Sequence, residues 1–122
     1  MRALCIVIAI CGFMLFNVWP QAAWGHAFPD HSEPKVGATV SVVPTQVRIW
    51  FDGELEPEFS TLRVENASGQ RVDKGDGHVD NSDPTLLEVN LPFLPSGTYR
   101  VTWSVVARDG HRTEGNYTFT VK

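Results

Sequence analysis

Sulfur is scarce in this chain. It has two cysteines and two methionines, and all four (Met1, Cys5, Cys11, Met14) fall within the first 14 residues. Everything beyond Met14 therefore lacks a disulfide partner, a thiolate nucleophile and a soft metal ligand. Basic charge is also short. The balance of 10 Lys+Arg against 14 Asp+Glu gives −4, the wrong sign for a nucleic-acid face. No glycine-rich loop has phosphate-binding spacing, and no serine sits in a Gly-x-Ser-x-Gly setting. Helical periodicity is missing throughout. A length of 122 residues leaves room for one domain and excludes a multidomain enzyme.

There is one long hydrophobic run. Leu4 to Trp19 is apolar apart from Asn17, which is short of the roughly 20 residues a spanning helix needs. Met1-Arg2 supplies a positive start, and Ala23 and Gly25 stand at −3 and −1 from a cut after Gly25. Residues 1–25 are expected to be a secretory signal peptide. Residues 26–122 then form the mature domain, with no membrane span after signal removal. Losing Arg2 makes that domain one unit more acidic. It enters an oxidising compartment without a disulfide, so its stability has to come from a packed core. Cleavage also makes His26 the first residue.

Strict alternation dominates the rest. Val47, Ile49 and Phe51 share one parity, as do Leu62 and Val64, Leu87, Val89 and Leu91, Tyr99 to Val105, and Tyr117, Phe119 and Val121. Period two means strands with one buried face. Val40-Ser41-Val42 is a weaker candidate, and Val72 adds a short one. Breakers fill the gaps: Pro44, Asn66 to Gly69, Lys74 to Gly77, Asn81 to Pro84 and Pro95 to Gly97. The pattern predicts an all-β, immunoglobulin-like Greek-key sandwich or barrel of about seven strands. Tyr99 and Trp103 fall on the inward parity and read as core anchors.

Histidine and carboxylate carry what chemistry remains. The histidines are His26, His31, His78 and His111. Once cleaved, His26 offers its α-amine and its own Nδ1, which close one chelate ring on a metal. The amine loses its proton near pH 8, so this costs little at neutral pH. Asp109 and His111 stand at i and i+2 and point the same way in extended chain. Gly110 between them lets the backbone bend. Three nitrogens and one carboxylate oxygen suit Cu(II). His31 reads as a surface residue near a flexible terminus, and His78 as part of a polar hairpin loop. Asp52, Glu54, Glu56 and Glu58 form an acidic stripe, either a solvated turn or a docking face for a basic partner.

In order and spacing, several segments resemble CopC-type periplasmic copper-binding proteins. They are His26 with Pro34 to Ala38, Pro44-x-x-Val47 into Phe51, Glu56 to Ser60, Ser96 to Trp103, and Asp109-Gly110-His111 before Gly115. The resemblance runs through residues 26–122. It implies a seven-stranded immunoglobulin-like barrel and one Cu(II) per chain, held by His26, Asp109 and His111. It also implies a periplasmic, monomeric carrier that sequesters copper or passes it to an inner-membrane importer of the CopD type. Some members hold Cu(I) on a Met-rich segment, which this domain lacks. Many have a Ser-Glu pair after the early-strand Phe, where Asp52-Gly53-Glu54 stands here. Two other function classes are an interaction module without metal, which would ignore an extended N-terminus, and a small His-brace copper enzyme. The latter resembles lytic polysaccharide monooxygenases, for whose flat substrate face the domain has little room.

Overall fold

The computed structural model describes residues 26–122, so the signal-peptide expectation for residues 1–25 lies outside the described residues. Eight strands run in chain order among them: β1 (Pro29–Glu33), β2 (Thr39–Val40), β3 (Gln46–Phe51), β4 (Thr61–Glu65), β5 (His78–Val79), β6 (Leu86–Asn90), β7 (Gly97–Val106) and β8 (Arg112–Val121). A single 3-10 turn, Pro57–Phe59, follows β3.

Alternation becomes burial as the sequence predicts. In β3, Val47, Ile49 and Phe51 are buried while Gln46, Arg48 and Trp50 are partly exposed. In β8, Tyr117, Phe119 and Val121 are buried. The strands form two sheets, in the orders β1-β3-β6-β5 and β2-β8-β7-β4. All neighbours are antiparallel except β2 and β8, which run parallel over two residues. This is a Greek-key sandwich, and the described residues are all-β as expected. Its core joins the inner faces through Ile49, Leu62, Leu87, Val101, Trp103 and Phe119. Trp103 meets Phe51 edge to face across the sheets, with centroids 5.3 Å apart. Near the start of β7, the Tyr99 hydroxyl donates back to the Pro95 carbonyl, a corner typical of this fold.

Five local readings need correction. β1 was not anticipated, because only Ser32 in it is buried and one inward residue gives no alternation to read. His31 belongs to that strand, not to a loose terminus: its ring lies flat on Trp50, centroids 4.5 Å apart and 9° from parallel. His78 pairs opposite Glu88 in β5 instead of sitting in a loop. The strand expected at Val40 to Val42 is Thr39–Val40, and near Val72 there is only an isolated bridge between Arg71 and Glu65.

Candidate metal centre

The β7–β8 turn builds one half of the site. Ala107 N–H donates to the His111 carbonyl (2.9 Å), and Gly110 N–H to the Ala107 carbonyl (2.8 Å). Closing so tightly requires a left-handed residue, and Gly110 takes φ +89°. Asp109 then accepts from the His111 backbone N–H at 3.0 Å, while its Oδ2 meets His111 Nδ1 at 2.6 Å. The imidazole beside it, then the His111 N–H, hold the Asp109 carboxyl below its ordinary range, and His26 adds a weaker pull. Asp109 and His111 do share one side of the turn. The His111 ring is largely exposed.

The other half comes from the far end of the sequence. Ala27 is fully buried, and its carbonyl accepts from Thr113 Oγ1 at 2.6 Å. Phe28 N–H donates to Asp52 Oδ1 at 2.8 Å, and Asp52 N–H donates back to the Phe28 carbonyl at 2.9 Å. Gly53 packs beside this segment, where an added Cβ would sit 3.6 Å from the His26 carbonyl. These contacts leave His26 half-buried and place its ring 4.6 Å from that of His111, edge to face at 65°. Glu54 Oε2 holds Arg108 Nε at 3.3 Å, at the root of the same turn. The structure therefore brings His26, Asp109 and His111 onto one patch, with His31 and His78 paired elsewhere.

Sequence reasoning did not find Thr113, Ala27 or the Asp52–Phe28 pair. The contacts span 86 and 24 residues, and nothing local marks them. The one available signal was the acid after Phe51. The donor set suits a borderline divalent ion, being nitrogen and oxygen with no sulfur. The ligand atoms are not preset: among the described residues, no three His, Cys, Asp or Glu side chains surround one point. His111 Nδ1 is engaged by Asp109, so a metal would take the ring's Nε2 or displace that contact.

A CopC domain model matches residues 30–122. This chain belongs to the CopC family. The match covers nearly all of the described domain. Copper resistance protein C of Escherichia coli is 66% identical over 108 residues, 83% of this chain and 85% of the relative. The crystal structure of CopC from Methylosinus trichosporium OB3b superposes with a TM-score of 0.74 at 32% identity. It spans 80% of this chain and 94% of that one. PcoC from Escherichia coli, a methionine-rich copper resistance protein, gives 0.68 at 31% identity over 80% and 99%. This CopC chain departs from the latter in composition, since residues 26–122 contain no methionine.

Proposed function

We propose that this protein binds one Cu(II) per chain in the periplasm, for sequestration or for delivery to a membrane importer. Carrying that reading is the approach of two imidazoles from opposite ends of the domain, His26 and His111, at 4.6 Å, with a carboxylate at 2.6 Å from the second. After cleavage at Gly25, His26 supplies its α-amine and Nδ1, His111 a ring nitrogen and Asp109 an oxygen. The carboxylate also offsets metal charge. The names of its relatives, copper resistance protein C among them, support copper as the cargo. The absence of Met and Cys after residue 14 favours Cu(II) over Cu(I).

The role is carriage, not catalysis. The patch is an open rim at one end of a small sandwich, with the His111 ring largely in solvent. A His-brace enzyme also needs a broad flat face to hold its substrate, and a single small domain has little room for one. Intact mass of the secreted protein, with and without one equivalent of Cu(II), tests the proposal. A chain starting at His26 with one copper retained is the expected result. A different start, or no retained copper, rejects it. Adding one residue before His26 is expected to weaken binding sharply while the fold is kept, and unchanged affinity in that variant rejects the amine chelate.

A further inference from the structure

The Ala27–Phe28 peptide is gripped at both of its polar ends. Its carbonyl accepts from Thr113 Oγ1 at 2.6 Å, and its N–H donates to Asp52 Oδ1 at 2.8 Å. A peptide is a rigid plane, so bonds on its two opposite edges fix its tilt as well as its place. The grips come from different sheets. Asp52 directly follows β3, and Thr113 lies in β8. Ala27 itself is fully buried, with Gly53 packed beside it. His26 is the next residue out from this clamp.

Packing alone does not account for Thr113. It shares the inward parity of Tyr117, Phe119 and Val121 and pairs with Val105, which is fully buried. Such a position suits an apolar β-branched side chain such as valine. A hydroxyl there needs a partner, and its partner is the Ala27 carbonyl. Thr113 also stands two residues beyond His111. Its hydrogen bond therefore runs from the strand that begins beside one histidine to the residue beside the other. The Asp52 bonds reach only the end of β3 and make no such link.

We propose that Thr113 is a positioning residue for the metal centre: its hydroxyl, together with Asp52, clamps the Ala27–Phe28 peptide and so holds His26 at His111. The cargo rests on the copper reading above, whereas the clamp belongs to the metal-free chain. Both grips are needed. With one released, the peptide plane turns about the other, and His26 swings with it. The effects of losing Thr113 and Asp52 therefore do not add, as happens for groups that act as one unit.

Thr113→Val removes the hydroxyl and keeps the shape, whereas Thr113→Ser keeps the hydroxyl. In the metal-free protein starting at His26, the two imidazoles lie close enough, at 4.6 Å, for nuclear Overhauser contacts between their ring protons. These contacts are expected in wild type and Thr113→Ser and are expected to vanish in Thr113→Val. Competition for Cu(II) against a chromophoric chelator is expected to show Kd raised about tenfold in Thr113→Val, the worth of one hydrogen bond. Thr113→Ser is expected to restore it, and Thr113→Val combined with Asp52→Ala to be about as weak as either change alone. Ring contacts that persist in Thr113→Val overturn the proposal, as does a Kd that stays put while only Tm falls, because the hydroxyl would then merely support the fold. Full additivity with Asp52→Ala, or a Thr113→Ser as weak as Thr113→Val, overturns it too. If wild type itself retains no copper, the copper reading fails separately, and the ring contacts still decide whether Thr113 holds His26.

Discussion

Asp52 and Phe28 exchange two hydrogen bonds, one from the Phe28 N–H to the Asp52 carboxylate (2.8 Å) and one from the Asp52 N–H to the Phe28 carbonyl (2.9 Å). Two contacts in opposite directions fix both position and orientation of the segment that presents His26. The chelate of the proposed site then forms with little entropy left to lose. Asp52→Ala is expected to raise the Cu(II) Kd by up to about tenfold, the worth of one exposed hydrogen bond of roughly 0.5–1.5 kcal/mol. Competition against a chromophoric chelator measures this. An unchanged Kd would mean that Ala27 and Thr113 alone position the terminus.

The four histidines separate cleanly by environment. His111 faces His26, whereas His78 Nε2 sits 3.2 Å from Glu88 Oε1 on the outer face of the other sheet. His111→Ala is expected to remove one nitrogen from the hyperfine pattern of the Cu(II) electron paramagnetic resonance spectrum. His78→Ala is expected to leave the pattern intact. The reverse result would move the site to the β5–β6 face.

What could be read in advance follows from how each residue is constrained. β3, β4, β8 and most of β7 bury every second side chain, so hydrophobic period alone locates them; β6 buries four in a row, Leu86 to Val89, and is legible from the alternation of its residue types. β1 buries one serine and owes its strand to pairing with β3, a partner no local pattern names. The turn at Asp109 to His111 is legible because Gly110 and the i, i+2 spacing act within three residues. His26 reaches that turn through Ala27 and Thr113, 86 residues apart. The chemistry of the pooled donors, three nitrogens and one carboxylate oxygen, and the resemblance to a family pointed to that meeting; no feature of composition or period did.

Asp73 gives the domain a pH dependence remote from the copper patch. Its carboxylate is shielded from solvent and accepts from Val64 N–H at 2.8 Å, Gly75 N–H at 2.7 Å and Arg71 Nε at 3.0 Å. Burial pushes the group up, but Arg71 and the two backbone donors together outweigh it and hold it below its ordinary value. A depressed folded value means stability that is complete above the unfolded pKa, about 3.9, and is lost as pH falls through the folded one. Asp73→Asn is expected to cost about 1–3 kcal/mol at pH 7, with the gap to wild type closing below about pH 4. Urea unfolding at pH 7 and pH 3 checks it, and a gap that stays constant across that range would refute the linkage.

Gly115 sets two opposing effects against each other. Alanine in a strand is worth up to about 1 kcal/mol over glycine through lost unfolded freedom. Its Cβ, however, would lie 2.4 Å from Trp103 Cζ2 and 2.8 Å from Cε2. The indole cannot retreat inward, because Phe51 packs against it at 5.3 Å, and the open direction is a cavity between β1 and β8, lined also by Ser32, Ile49 and Tyr117. Overpacking of this kind costs about 1–3 kcal/mol, so the clash outweighs the entropic gain. Gly115→Ala is expected to lower Tm by roughly 4–8 °C per kcal/mol of net loss and to red-shift the tryptophan emission as the ring swings towards the cavity mouth. A Tm equal to or above wild type, with unmoved emission, would show that the ring has room on the core side and that Gly115 is not what holds the cavity open.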